Sequence, residues 1–181
     1  MTFAWNDWHT LLTPAPPWAH LVVATEREID SAMRVSAPAN VGAIIRMMRG
    51  VRCTTKQGLL TEWAAALQFP YYFGDNWDAF EECLNDMDWL PARSYVVALT
   101  HADQVLPQGR DFLTFLAILD TAAIRWARTT DEATRQPRLP VSFHVIFHCD
   151  PAHEADTRDR FRGANIAPDT LSLPALPLER S

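Results

Sequence analysis

The sequence predicts an α/β fold, with a small parallel sheet of three to four strands and helices packed on it. Compact apolar runs of strand length alternate along the chain with longer stretches in which apolar residues recur every three or four positions. Strands that alternate with helices in this way are typical of parallel βαβ units with right-handed crossovers. Hydrophobic residues make up 48% of the 181-residue chain, so it can bury a substantial core.

Two apolar runs with a helix between them predict the first strands of this sheet. The runs are HLVVAT at residues 20–25 and VGAIIRMM at residues 41–48. Between them, residues 26–35 place Ile29 and Met33 on one face of a helix. This order of strand, helix and strand predicts a parallel βαβ unit.

A capped helix is predicted after the second strand. Thr54 or Thr55 can accept a hydrogen bond from the free N–H groups at its start. The helix continues to about residue 68, because Phe69 precedes a proline and a residue in that position disfavours the α region. Its predicted apolar face consists of Leu59, Leu60, Trp63 and Leu67.

The second half of the fold is predicted to be a strand, a helix, a loop and a strand. The strands are SYVVALT at residues 94–100 and VSFHVIFHC at 141–149, and the polar stretch 129–140 is the loop. Residues 111–128 have the longest helical pattern in the chain. Their inward residues are predicted to be Phe112, Phe115, Leu116, Leu119, Ala123 and Trp126.

The predicted domain covers residues 20–150, with an extension on each side. Residues 1–19 form an N-terminal extension that is rich in Trp and Pro, and residues 151–181 form a Pro-rich, polar C-terminal tail with little to pack. In the N-terminal extension, helical spacing predicts a short helix that packs on the domain and includes Trp5, Trp8 and Leu12.

Residues 70–89, PYYFGDNWDAFEECLNDMDW, account for the entire net charge of −6. They contain six carboxylates and neither Lys nor Arg. The chain has 22 acidic and 16 basic residues, so without these six the two counts are equal. Such a concentration of one sign creates a local field that attracts a basic partner. The six acids are Asp75, Asp78, Glu81, Glu82, Asp86 and Asp88.

The same segment is predicted to form a turn followed by a helix with two faces. Gly74 favours a turn because it tolerates φ > 0, and Asp75 or Asn76 can cap a helix that starts at Trp77. The buried face is predicted to comprise Trp77, Phe80, Cys83, Leu84 and Met87.

The opposite face of this helix carries the acids. Asp78, Glu82 and Asn85 lie at i, i+4 and i+7, with Glu81 and Asp86 beside them. A run of charges is most often a solvated helix face. Here no basic residue balances the acids and an aromatic loop adjoins them, which favours a surface that binds another molecule.

The stretch YYFGDNWDAFEECL, followed by a short acidic turn and a Trp, resembles the signature of the barstar family. Members of that family are small intracellular inhibitors of secreted bacterial ribonucleases of the barnase type. Their aromatic loop and acidic helix plug the nuclease active site and imitate the phosphates of RNA. The resemblance implies a barstar-like fold over about residues 40–150, extended back to about residue 20 in the form with a leading strand and helix.

The resemblance also implies which residues bind the partner. The match has three departures: Glu82 stands where the founding member has a shorter Asp, Glu81 replaces a Trp, and Tyr72-Phe73 replaces a Tyr-Tyr pair. The residues that fall on partner-binding positions are Tyr72, Gly74, Asn76, Asp78, Glu82 and Asn85, and Glu81 and Asp86 flank them.

Composition argues against several other classes of protein. The pI is near 5.4, so the chain lacks the excess of basic residues that is typical of proteins that bind nucleic acid directly. The chain contains no apolar run near 18 residues, so no membrane span is predicted, and MTFAWNDWHTLL does not read as a signal peptide. Three widely spaced cysteines, Cys53, Cys83 and Cys149, predict reduced thiols in the cytoplasm.

Two groups of residues have a catalytic or metal-binding interpretation. Asp78 and Glu82, one helical turn apart, could form the carboxylate pair of a hydrolase, but no nucleophile or phosphate-loop motif accompanies them. His144 and His148 share a strand face about 13 Å apart, which is too far to hold one metal ion. Cys83, on the buried stripe among acids, is predicted to be an inert thiol.

The sequence therefore predicts a non-catalytic, cytoplasmic protein that binds and blocks a basic secreted ribonuclease through its acidic helix and aromatic loop. No cofactor or metal is needed, and neither nucleic acid nor a membrane is a predicted direct partner. The alternative is a non-catalytic acidic binding module for a basic protein that is not a nuclease. A carboxylate hydrolase is a third hypothesis.

Overall fold

A computed structural model describes residues 8–35, 42–107, 109–130 and 137–173. Within them a five-stranded sheet has the order β2-β3-β4-β1-β5, and all neighbouring strands are parallel. The predicted α/β class with a parallel sheet is confirmed, but the predicted number of three to four strands is wrong. The strands are β1 (Ala19–Val23), β2 (Ala43–Arg49), β3 (Ser94–Thr100), β4 (Ser142–Cys149) and β5 (Asp169–Thr170).

The same described ranges form six α-helices. Four of the helices and four of the strands lie where hydrophobic patterning predicts them, to within two residues at each end. None of the helices formed by these residues combines the length and the apolar character needed to cross a bilayer. The helices are α1 (Trp8–Leu11), α2 (Glu26–Val35), α3 (Lys56–Leu67), α4 (Trp77–Asp86), α5 (Asp111–Trp126) and α6 (Glu154–Gly163).

The first two strands are parallel, as predicted, but they are not neighbours. β3 and β4 lie between them, so α2 connects β1 to a strand three positions away in the sheet. The order of elements along the chain could not reveal this insertion, because the patterns of β3 and β4 fit any position in a sheet that is covered on both faces.

The two faces of the sheet are covered by different helices. Because successive side chains of a strand point to opposite faces, Val97 and Leu99 of β3 pack with α3, α4, α5 and α6. Val96 and Ala98 pack on the other side with α1 and α2. All residues of β3 and β4 are buried, as expected for parallel strands between two layers of helices.

A cluster of three aromatic rings joins α3, α4 and α5. The centroid of the Trp63 ring lies 5.4 Å from that of Phe80 and 5.5 Å from that of Phe115, with the rings edge to face. All three side chains are fully buried. Edge-to-face pairs of this kind add stability beyond that of the buried area, so they fix α4 against its neighbours.

The N-terminal extension packs on the sheet through a short helix. The predicted helix is present as α1, in which Leu11 is fully buried against Val22 and Ile29. The Ser142 hydroxyl of β4 donates a hydrogen bond to the Leu11 carbonyl oxygen at 3.1 Å. Trp5, which the prediction included, lies outside the described residues.

The chain beyond residue 150 packs far more than its composition suggests. Phe161 of α6 is buried, with its ring centroid 4.8 Å from that of Phe147 and 5.7 Å from that of Phe112. Residues 169–170 form β5, and the Leu171 N–H donates to the β1 backbone. The expectation that the C-terminal tail has little to pack is therefore wrong for α6 and β5, while the boundary at residue 150 stays a prediction.

Candidate partner-binding surface

The start of α4 is fixed by its capping residue. The Asn76 Oδ1 atom accepts a hydrogen bond from the Ala79 N–H at 2.9 Å, and its Nδ2 atom donates to the Gly74 carbonyl oxygen at 3.0 Å. Of the two predicted caps, Asn76 is the one used, while Asp75 has a φ of 49° and forms the turn before it. A Cβ atom on Gly74 would lie 3.0 Å from Asn76 Nδ2, so a larger residue would press on the cap.

The aromatic loop before this cap points in two directions. The Phe73 N–H donates to the Pro70 carbonyl oxygen, which closes a turn, and the Phe73 ring packs inward with its centroid 5.1 Å from that of Phe69. Tyr71 and Tyr72 point into solvent and are 101% and 63% exposed. Their ring centroids are 5.7 Å apart in an edge-to-face arrangement. The exposed aromatic pair is therefore Tyr71-Tyr72, and the sequence-based list of binding residues omits Tyr71.

The predicted division of α4 into two faces is confirmed. Asp78, Glu82 and Asp86 are exposed, and Glu81 and Asn85 are half-buried beside them. The opposite face faces the core, where Trp77 is half-buried and the other predicted members are fully or nearly fully buried: Phe80, Cys83, Leu84 and Met87.

Two tryptophan hydrogen bonds hold α4 against α5. The Trp126 Nε1–H donates to the Leu84 carbonyl oxygen at 2.8 Å, and the Trp77 Nε1–H donates to Asp111 Oδ1 at 3.3 Å. Together with the aromatic cluster, these bonds fix the orientation of the helix before any partner arrives. Trp126 was predicted only as an inward apolar residue, because its hydrogen-bond acceptor lies 42 positions away in the chain.

Asn85 is turned toward its own helix. Its Nδ2 atom donates to the Glu81 carbonyl oxygen at 2.8 Å. Its Oδ1 atom is buried and has no hydrogen-bond partner within the described residues. A buried acceptor without a donor is destabilising, and rotation of the amide away from Glu81 would allow Asn85 Oδ1 to accept a hydrogen bond from a partner.

The acids of this surface are not neutralised by neighbouring bases. Within the described ranges, ion pairs link Arg49 to Glu62, Arg158 to Glu154 and Arg162 to Asp159, and no acid of residues 75–88 forms one. Lys56 lies beside the start of α4, with its Nζ atom 5.3 Å from the centroid of the Trp77 ring. The acidic face of α4 therefore keeps its charge available for a partner.

The field of the acids reaches the aromatic loop. The pKa of the Tyr72 hydroxyl is raised, first by partial desolvation and then by the charges of Asp86 and Glu82. The pKa of the Cys83 thiol is raised to about 11, first by burial and then by the charge of Glu82. A thiol with this pKa is protonated at neutral pH, which agrees with the interpretation of Cys83 as an inert core residue.

The histidines considered for a metal site have other partners. His144 is hydrogen-bonded to His20 and to the Thr13 carbonyl oxygen, and His148 is hydrogen-bonded to the Ala24 carbonyl oxygen. Over the described ranges, no three His, Cys, Asp or Glu side chains come close enough together to hold a metal ion. His144 and His148 are therefore buried residues whose ring nitrogens take part in hydrogen bonds inside the fold.

The fold and the acidic surface define a class: an α/β protein that presents a preformed helix with unpaired carboxylates next to exposed tyrosines. A family model described as Barstar (barnase inhibitor) matches residues 44–139, which is just over half of the chain. The protein belongs to the barstar family. A comparison with curated proteins gives no match. The matched range begins in β2 and includes the aromatic loop, α4 and α5, whereas β1, α2 and α6 lie outside it.

Proposed function

We propose that this protein is a non-catalytic inhibitor of a basic secreted ribonuclease and that it blocks the nuclease active site with α4 and the loop before it. One observation carries the proposal: a rigid helix face with unneutralised carboxylates stands next to exposed tyrosines, in a member of a barnase-inhibitor family. An RNA-binding cleft is lined by cations that bind phosphates. Carboxylates at phosphate spacing can occupy the same positions.

The exposed residues of the surface have distinct roles in this proposal. Asp78 and Glu82, on adjacent turns of α4, occupy phosphate subsites, and Asp86 continues the negative face toward the end of the helix. Tyr72 packs against the rim of the cleft. Asn76 is committed to the helix cap, so its role is to shape the loop.

The half-buried residues and Gly74 have secondary roles. Gly74 permits the close packing of the cap, and Glu81 adds charge at the border between the surface and the core. Asn85 supplies a polar contact after its amide rotates. No cofactor takes part, because blocking a cleft requires only complementary shape and charge.

The biological role follows from the chemistry of the partner. A cell that makes a secreted ribonuclease must protect its own RNA until the enzyme has left. An inhibitor that stays in the cytoplasm and acts as an immunity protein meets this need. Direct binding of nucleic acid is disfavoured, because the six acids next to the tyrosines repel phosphates.

Two departures from the family pattern favour a second candidate partner. Glu82 replaces the shorter Asp of the founding member, and Glu81 replaces a Trp. Both changes alter the shape of the surface that would enter a barnase-type active site. The second candidate is therefore a basic protein that is not a nuclease, bound by the same acidic face.

Two measurements distinguish these candidates. The first is inhibition of RNA cleavage by barnase on addition of the purified protein, and the second is ribonuclease activity in proteins that the immobilised protein captures from its native host. Inhibition of barnase in a one-to-one ratio, or ribonuclease activity in captured proteins after they are released from the immobilised protein, supports the proposal. A captured basic protein without ribonuclease activity, together with full activity of barnase, would overturn it in favour of the second candidate.

A matched pair of variants shows whether inhibition uses the proposed surface. Glu82→Gln and Asp156→Asn each remove one negative charge from an exposed helical residue, but Asp156 lies on α6. We expect Glu82→Gln to raise the inhibition constant roughly 30-fold or more and Asp156→Asn to leave it within about twofold. Equal effects would mean that net charge is responsible for inhibition.

A further inference from the structure

Tyr71 is an aromatic side chain with no evident structural role. Its exposure of 101% is the highest among the large hydrophobic residues that are exposed in the described ranges. Its ring contacts the ring of Tyr72, and no hydrogen bond of its hydroxyl occurs among these residues. By contrast, Tyr95 is buried and its hydroxyl donates to the Leu90 carbonyl oxygen. The position of Tyr71 is thus not required by folding.

The surroundings of Tyr71 point to a cationic ligand. Tyr71 and Tyr72 lie in the turn that leads into α4, with their ring centroids 5.7 Å apart, so the pair of rings borders the acidic face of that helix. The pKa of the Tyr72 hydroxyl is raised first by desolvation and then by charges that include those of Asp86 and Glu82. Cations drawn to that face come close to open aromatic rings. A guanidinium or ammonium group binds the face of a tyrosine ring within about 6 Å of its centroid.

We infer, on the basis of the proposed function, that Tyr71 determines specificity by binding a cationic side chain of the ribonuclease beside the subsites that Asp78 and Glu82 occupy. Arginine suits this position best, because its planar guanidinium can stack on a ring while its N–H groups reach a carboxylate. Tyrosine also loses little conformational freedom on binding, since only two side-chain torsions are fixed. Tyr71 therefore extends the surface beyond the acidic helix.

Three substitutions of Tyr71 separate the possible contacts. Tyr71→Phe keeps the ring, Tyr71→Leu keeps apolar area without an aromatic face, and Tyr71→Ala removes both. The probe is the ribonuclease that the wild-type protein inhibits, and the measurements are the dissociation constant and the dissociation rate. We expect Tyr71→Leu and Tyr71→Ala to bind roughly 3- to 30-fold more weakly and Tyr71→Phe to bind within about threefold of the wild type.

The outcomes distinguish this inference from the proposed function. If Tyr71→Ala binds as tightly as the wild type while Glu82→Gln is weakened, the inference about Tyr71 is wrong and the proposed surface stands. If Tyr71→Leu binds like the wild type and Tyr71→Ala does not, the contact is apolar and the cation assignment fails. If no ribonuclease is inhibited at all, the proposed function itself fails. Thermal melts of the variants serve as the folding control, and Leu139→Ala, at an 84% exposed residue outside the surface, is the binding control.

Discussion

The imidazole rings of His20 and His144 form a hydrogen bond of 2.9 Å inside the protein, between Nε2 of the first and Nδ1 of the second. His144 Nε2 also lies 2.9 Å from the Thr13 carbonyl oxygen, which can only accept. His144 Nε2 therefore carries a hydrogen, its Nδ1 is an acceptor, and His20 Nε2 is the donor. With both rings neutral, His20 Nδ1 is left as a buried nitrogen without a partner in the described residues, so a proton added there would gain no hydrogen bond within them.

This pair should make stability depend on pH in mildly acidic solution. Burial, followed by the charge of His144, lowers the pKa of His20 to about 3 from 6.5, and burial lowers the pKa of His144. A lowered pKa means that the unfolded chain binds protons more readily, so stability is full above pH 6.5 and is lost progressively as the pH falls toward 3. We expect a loss of roughly 3–5 kcal/mol across this range from His20, measured by urea unfolding at several pH values.

The range from pH 6.5 to pH 5 isolates the histidine contribution. Glu28 and Glu62 also have a lowered pKa, because each accepts hydrogen bonds, but their contribution to stability is lost only below about pH 4.5. A His20→Leu variant should therefore have a flatter dependence between pH 6.5 and pH 5 than the wild type. A free energy of unfolding that stays constant over this range in the wild type would contradict the prediction.

The two faces of α4 should respond differently to truncation. Phe80→Ala should lower the free energy of unfolding by roughly 3–5 kcal/mol, because it removes a buried ring that contacts Trp63 and Phe115. Asp78→Ala, on the exposed face, should change stability by no more than about 0.5 kcal/mol. Denaturant melts of both variants are the measurement, and losses of similar size would mean that the helix faces are misassigned.

Glu82 should contribute far more to partner binding than Asp88. In an anion site, its carboxylate would face desolvated cations, and truncation of one member of such a pair typically costs about 2–5 kcal/mol of binding free energy, mostly through faster dissociation. Asp88 is also exposed, but it follows the end of α4. Dissociation constants for Glu82→Ala and Asp88→Ala test this difference, and equal values would remove Glu82 from the proposed site. Glu82→Asp, with a shorter reach, should weaken binding to the natural partner.

Salt should slow association with the partner. The six acids form a surface of one sign, and exposed charges are screened beyond about 8–10 Å at physiological ionic strength. The association rate constant should fall roughly tenfold or more between low and high salt, while the dissociation rate changes less. Stopped-flow mixing over a series of salt concentrations measures both. An association rate that does not vary with salt would exclude electrostatic steering.

The C-terminal helix should be part of the folding unit. Phe161→Ala should destabilise the protein by roughly 3–5 kcal/mol, since its ring is buried against Phe112 and Phe147. Arg162→Ala is the control, because Arg162 is an exposed residue of the same helix and its ion pair with Asp159 is also exposed. This substitution should have little effect on stability. A Phe161→Ala protein as stable as the wild type would restore the prediction that the tail has little to pack.

Features encoded in nearby residues were predictable, and features that depend on distant contacts were not. The cap at Asn76 and the buried stripe around Phe80 and Leu84 follow from spacings within one helix. Phe161 is a lone aromatic in a polar stretch, so its burial depends on a pocket built by other elements. β5 has two exposed residues and is defined by backbone pairing with β1, which leaves no apolar signal.

The same difference between local patterns and distant contacts applies to the candidate surface. Periodicity identified the exposed acids, because a helix repeats regularly. It could not decide which ring of the aromatic loop turns inward, since a turn has no period. Phe73 packs on Phe69 and leaves Tyr71 outside, an outcome set by the packing space next to the core.

The bond from the Trp126 indole to the Leu84 carbonyl oxygen has an evolutionary consequence. Any amino acid placed at position 84 would still offer a backbone carbonyl, and the indole approaches from the side of α4 that faces the protein. Substitutions on the outer side of the helix therefore leave this anchor intact. Glu81, Glu82 or Asp86 can therefore be exchanged during evolution, while the helix that displays them keeps its place.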